Sequence, residues 1–209
     1  MKYKLLAGSI LAFLAIGNAA AQEQEQGQEK SLYVKGNALF LPIGIINVAA
    51  EKQLSPKYTI QADAFVSPWK SFAGHELQYY SVSAEARYYF TEAFRHWYIG
   101  ANISVAAYNI QKWNYWNDNI FVKDDGEVLV NSNLYQKGHS IMVGITAGYQ
   151  FQLSERLNLD IYATVGNSQG FYKGYDRTTG KRYDSAEKFN KSGEIIPYRG
   201  GVMISYKLK

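Results

Sequence analysis

Apolar and polar residues alternate with a period of two, block after block, along most of this chain. Segment 32–41 places Leu32, Val34, Ala38 and Phe40 on one face and Tyr33, Lys35 and Asn37 on the other. Segment 79–90 sets Tyr80, Val82, Ala84, Ala86, Tyr88 and Phe90 against Ser81, Ser83, Glu85 and Arg87. The pattern recurs over 45–54, 58–67, 97–109, 139–152, 157–167 and 196–208; in the last, Ile196, Tyr198, Val202, Ile204, Tyr206 and Leu208 oppose Arg199, Ser205 and Lys207. Such alternation is the signature of a strand with two unlike faces. Strands in soluble proteins have about 5–6 residues, whereas a tilted strand crossing a bilayer needs about 9–11. Most of these segments reach the longer length. Aromatic residues close their apolar faces at Tyr58, Tyr88, Phe90, Trp97, Tyr149, Phe151, Tyr198 and Tyr206, as girdles at a lipid–water boundary do. The expected fold is all-β, an eight-stranded antiparallel transmembrane β-barrel. A soluble sandwich would alternate in the same way, but strand length and aromatic ends count against it.

The connections sort into two kinds. Those at 55–57, 91–96 and 153–156 are short, and those at 68–78, 110–138 and 168–195 are long and polar. Short periplasmic turns and long outer loops are the asymmetry expected of a barrel in the outer membrane. The link near Pro42-Ile43-Gly44 is the exception, an outer connection that is very short.

The N-terminus reads as an export signal. Lys2 and Lys4 precede an apolar run from Leu5 to Ile16, and Ala19-Ala20-Ala21 supplies small residues before Gln22; together they make a cleavable signal peptide over 1–21. Residues 22–30, rich in Gln and Glu, read as a disordered periplasmic tail, leaving 31–209 for the barrel. Without Lys2 and Lys4 the 22 basic residues become 20 against 18 acidic ones, a net charge of +2. That balance gives no reason to expect nucleic acid as a partner. There are no cysteines, which excludes disulfides, thiolate metal sites and a lipoprotein anchor.

If the apolar faces meet lipid, the other faces line the lumen. They carry Lys35, Arg87, Arg199 and Lys207 against Glu51, Asp63, Glu85 and Asp160. Eight strands leave a lumen that side chains can fill, and charges buried there must be paired. The matched signs predict an internal network in a filled barrel, with Glu85 and Arg87 each pairing across strands rather than with the other. An acid–base role for Asp63 and Glu85 is the alternative reading of the same residues.

The loops hold the remaining candidates. Trp113, Tyr115 and Trp116 fall in the 110–138 loop, and Tyr172, Tyr175 and Tyr183 in the 168–195 loop beside several lysines and arginines. Aromatic surfaces of this kind can stack on a glycan or dock an extracellular protein, and the basic groups can meet lipopolysaccharide phosphates. The alternative is that the loops pack on themselves above strands that extend past the membrane. Only three histidines occur, His75, His96 and His139. Their spacing matches no catalytic motif and no metal-ligand cluster, so no catalytic residue, metal or cofactor is expected.

Two stretches carry a resemblance. Val66-Ser67-Pro68-Trp69, and Ala84-Glu85-Ala86-Arg87-Tyr88-Tyr89-Phe90 followed by Glu92-Ala93-Phe94, resemble motifs of a domain-of-unknown-function group of Bacteroidota outer-membrane barrels. The likeness covers residues 33–110 well and the remainder loosely. More distantly, the chain is similar to small OmpA- and OmpX-type barrels. The resemblance implies location and fold, not activity. In that setting Asp184-Ser185-Ala186 matches the tripeptide used for O-glycosylation, with Ser185 as acceptor. The functional expectation is a non-enzymatic barrel with a structural or adhesive role at the cell surface. The alternatives are a lipid A-modifying barrel enzyme and a narrow passive channel.

Overall fold

The computed structural model describes residues 30–123, 126–184 and 186–209. The proposed signal peptide, the tail up to Glu29 and Ser185 lie outside the described residues. The described chain is all-β. Ten strands follow one another: β1 Leu32–Asn37, β2 Ile46–Gln53, β3 Tyr58–Phe72, β4 His75–Tyr89, β5 His96–Ile110, β6 Ile120–Val122, β7 Val128–Val130, β8 Leu134–Gln152, β9 Leu157–Asp176 and β10 Asn190–Lys207. Eight of them close into an antiparallel barrel in the order β1-β10-β9-β8-β5-β4-β3-β2, and β6 with β7 forms a separate ribbon between β5 and β8. Each barrel strand after β1 lies beside its predecessor in that ring, and β1 meets β10 to close it.

The alternation sorts side chains by polarity, and the sorting is inverted relative to a soluble protein. Ile99, Ile103, Val105, Val143 and Ile145 stand on the outside, Ile145 at 71 % exposure, while Glu51, Gln61, Asp160, Thr146 and Ser205 are completely buried. On the outer surface, at the end near the short turns, Tyr58 meets Tyr88, and Tyr149 meets both Trp97 and Phe151.

That end of the lumen is sealed by a turn. Between β4 and β5 the chain adopts a left-handed conformation at Phe94 (φ 68°), which turns its ring inward, where it is buried. The ring lies 4.2 Å from Tyr33 and 6.1 Å from Tyr89, and the Phe94 carbonyl accepts a hydrogen bond from Asn158 Nδ2 at 3.0 Å. Small residues make room for the aromatic ones. A Cβ at Gly148 would fall 2.5 Å from the Tyr98 ring.

Three features depart from the sequence expectation. The long loops are shorter than expected because the strands run on into them: β3 and β4 meet through Ala73 and Gly74 alone, both at positive φ, as a twist-matched two-residue hairpin requires. The β5–β8 connection shrinks to 111–133 and the β9–β10 connection to 177–189. Conversely, the strand expected over 32–41 ends at Asn37, and residues 38–45 cross to β2 through a short 3₁₀ turn, Leu41–Ile43. Finally, a bulge interrupts β10 between Pro197 and Arg199. An extra residue reverses the facing of everything beyond it. Ile196 therefore pairs with the inward Gly166, Ile195 takes the outer face, and the Tyr198 hydroxyl points inward to Asn102 Oδ1 at 2.8 Å. Tyr198 belongs to the lumen, not to the aromatic girdle.

Gly148→Val is expected to abolish refolding to the native β-sheet circular dichroism, because Tyr98 occupies the space. Gly36→Val, where nothing lies within 4 Å of a Cβ, is expected to fold normally.

Candidate functional site

The middle of the lumen is a charge cluster drawn from six strands. Arg87 on β4 lies at its centre. Its Nε donates to Glu85 Oε1 at 2.5 Å, and its Nη1 donates to Asp160 Oδ2 at 2.8 Å and Glu51 Oε2 at 3.1 Å. Lys35 Nζ bridges Asp160, at 2.7 Å, and Glu51. Arg199 joins Glu85 Oε2 at 2.5 Å to Asp63. Hydroxyls and an amide fill the remaining carboxylate positions: Tyr98 donates to Asp160 at 2.7 Å, Tyr89 to Glu51 at 2.8 Å, Thr59 to Glu51 at 2.5 Å, Thr146 to Glu85 at 2.7 Å, and the Asn102 amide to Glu85 at 3.3 Å. The Arg87 guanidinium also stacks 4.5 Å from the Tyr98 ring centre. Burial of this kind tolerates charge only when each carboxylate and cation is met by several partners.

Seven of the eight residues singled out for the lumen thus meet there, and two expectations are corrected. Glu85 and Arg87 pair with each other as well as across the barrel, because residues two apart on a strand project to the same face. Lys207 sits half-buried at the barrel's end, opposite Tyr33 and two pairs beyond Lys35, and makes no ion pair among the described residues.

Above the cluster the lumen opens into a cavity of about 690 Å³. Phe65, Leu77, Tyr79 and Ile110 form much of its wall, and Asp63, Arg199 and Tyr198 contribute to its floor. The sequence reading missed these wall residues. Leu77 and Ile110 lie in stretches read as loop, and the signal that finds them is the extension of the strand period past the apolar band.

The candidate loop aromatics lie in a crown above the cavity. Its hub is Gln111, just past β5. Gln111 Oε1 lies 2.9 Å from His75 Nδ1 and accepts from Arg177 Nη2 at 3.2 Å, while Nε2 donates to the Ser132 carbonyl at 2.9 Å. Arg177 Nη1 donates in turn to the Gly74 carbonyl at 3.0 Å, so one amide and one guanidinium join all three tall hairpins. Trp116 stacks on His75 at 4.2 Å, Tyr115 and Tyr183 hydroxyls lie 3.3 Å apart, and Tyr175 stacks on Tyr135. Tyr172 and Tyr175 belong to β9 rather than to a loop. Trp113 alone of the six is almost fully exposed, at 82 %. His139 lies on the outer face between Phe171 and Phe189, away from the Gln111 pocket that holds His75. Among the described residues no three His, Asp or Glu side chains form a metal site.

Asp184, next to Ser185, is committed to the loop's own geometry. Its carboxylate accepts from Arg182 at 2.5 and 3.0 Å and from the Gly174 N–H at 2.6 Å. Burial pushes its pKa upward, but these donors outweigh burial and hold it below the ordinary aspartate value of 3.8. A depressed folded pKa stabilises the loop above the unfolded value and withdraws that support as pH falls through the folded one. Protection of the Gly174 amide, its exchange rate taken relative to the intrinsic rate at each pH, is therefore expected to hold down to the ordinary aspartate range and to fall below it, and Asp184→Asn is expected to remove that dependence. In the lumen, Arg87→Met leaves buried carboxylates uncompensated and is expected to lower unfolding stability by roughly 3–5 kcal/mol. Lys207→Met is expected to change it by less than about 0.5 kcal/mol. Denaturant unfolding of the two variants side by side checks the contrast.

No curated protein matches the chain. A family model does so from residue 10 to residue 208, nearly end to end, and its description is a protein of unknown function, DUF3575. The chain belongs to the DUF3575 family.

Proposed function

We propose that this protein is a non-enzymatic outer-membrane β-barrel, closed to conduction, that holds an ordered crown of three hairpins at the cell surface. The observation that carries the reading is the inverted polarity: an apolar belt outside and buried charge inside. From Trp97 to Ala107 the outward residues of β5 stay apolar. Ten steps of about 3.4 Å at a tilt near 40° span about 26 Å, the height of the apolar band of such barrels. Beyond it the outward residues of β5, β8 and β9 turn polar in register, at Asn109, Lys137 and Lys173.

Closure to conduction follows from the two obstructions in series. Phe94, Tyr33, Tyr89 and Tyr98 fill the lower end, and the charge cluster fills the middle. The crown then supplies the interaction surface, with lipid and lipopolysaccharide around the belt and an extracellular protein or glycan as the partner above. Its hairpins are tied by Gln111 and Arg177, which favours a preformed surface over a floppy one.

The test is gel mobility of the outer-membrane fraction with and without boiling. A heat-dependent shift in that fraction is expected, together with no steady single-channel steps from the purified protein in planar bilayers. A soluble periplasmic protein without the shift overturns the membrane reading. Large, steady conductance overturns the sealed lumen.

A further inference from the structure

The barrel wall is uneven. β1 stops at Asn37 and β2 starts at Ile46, while β3 continues to Phe72 and β10 begins at Asn190. β10 pairs with β1 only from Met203 to Lys207, and β3 pairs with β2 only up to Val66. Above the short hairpin the tall parts of β3 and β10 flank a notch with no ladder between them. Pro197 lies on the β10 side, and proline in a strand belongs at an edge or a bulge because it cannot donate.

The sill of the notch is the connection 38–45, and it is built for an apolar surrounding. Leu39, Leu41 and Ile43 are exposed on it. Five of its seven backbone N–H groups are nevertheless met by the protein itself: that of Ala38 donates to the Val202 carbonyl, that of Leu39 to Asn37 Oδ1, those of Ile43 and Ile45 to the Phe40 carbonyl, and that of Gly44 to the Leu41 carbonyl. Trp69 Nε1 ties the sill to β3 by donating to the Ile43 carbonyl at 3.0 Å. Irregular backbone that satisfies its own polar groups suits a hydrocarbon environment, whereas unmet groups do not.

Behind the sill lies the cavity of about 690 Å³, within the usual range of about 300–1,000 Å³ for small-ligand sites. Its axial mouth is crossed by Lys112, which reaches Glu194 at 3.6 Å and lies over the Tyr172 ring. The wall is the freer approach. The chemistry inside suits hydrocarbon more than an anionic head: the cluster at the floor sets Lys35, Arg87 and Arg199 against the four carboxylates Glu51, Asp63, Glu85 and Asp160, so it has no surplus of positive charge. Above it, Phe65, Leu77 and Ile110 offer an apolar wall.

We infer that this cavity takes one acyl chain of an outer-leaflet lipid, which enters sideways through the notch between β3 and β10 and leaves its headgroup outside. The inference rests on the membrane reading above. The test uses the full-length protein in phospholipid vesicles containing a phosphatidylethanolamine with a diazirine near the end of one chain. After illumination, adducts are mapped by mass spectrometry. Adducts on the inward Leu77, Ile110 or Phe65 are expected in addition to those on outward residues such as Ile103. Leu77→Trp or Ser81→Phe, which fill the cavity from different positions, are expected to lose the inward adducts and keep the outward ones. Adducts confined to outward residues overturn the inference and leave the membrane reading standing; no adduct anywhere removes both. A parallel sample carries the diazirine on a free fatty acid among unlabelled phospholipids. Inward labelling by that acid alone overturns the assignment to a lipid-borne chain.

Discussion

Arg87 occupies the position on which the interior depends. It touches a carboxylate from β2, one from its own strand and one from β9, so it bridges opposite walls of the lumen. No side chain without charge can satisfy three acids at once, and no other residue type presents five donors in a fixed fork. Its neighbours follow from that choice. Tyr98 lies flat beneath the guanidinium, Gly148 makes room for Tyr98, and Phe94 closes the space below Tyr89. A lumen of eight strands has little volume for water to solve the same problem, so side-chain hydroxyls from Tyr89, Tyr98, Thr59 and Thr146 take the place of solvent.

Much of this architecture was legible in the chain because a strand's period is two and cannot drift. Once Val34, Ile60, Val82 and Ile103 are placed outside, Lys35, Gln61, Ser83 and Asn102 must be inside. The same rule broke at one position. Ile196 and Tyr198 continue the apolar period of β10 on paper, and the bulge that reverses them is marked only by Pro197. The tall hairpins were read as loops for a related reason: above the apolar band the outer face carries Asn109, Lys137 and Lys173, so contrast between the faces vanishes while the backbone ladder continues. The Glu85–Arg87 contact was within reach of sequence reasoning, since both side chains are long and share a face. The cavity was not. It depends on β1 and β2 being shorter than their neighbours, a property of pairing partners distant in sequence.

The crown and the lumen solve opposite problems. In the lumen, charge is buried and each carboxylate of the cluster is held by cations or hydroxyls from neighbouring and facing strands. In the crown, solvent is available, and order comes from a few bridging groups, with Gln111 accepting and donating to segments from three hairpins. Stacked aromatics such as Trp116 on His75 add area at low conformational cost. The candidate recognition surface is therefore an outgrowth of the same strands that form the wall, continuous with them in backbone hydrogen bonding.

The ring closes on its shortest strand, which has five registered pairs with β10 and five with β2. β1 and β10 are paired from Tyr33 to Asn37, whereas β8 and β9 are paired from Leu134 to Gln152. The short seam joins the two ends of the barrel sequence and must overcome the entropy of closing nearly the whole chain into a loop; the long ladders join neighbours in sequence. Assembly is thus ordered by geometry: hairpins zip early, and the first and last strands meet at the end. The strand that closes the ring is also the one held by the fewest pairs, so disassembly would begin where assembly finished.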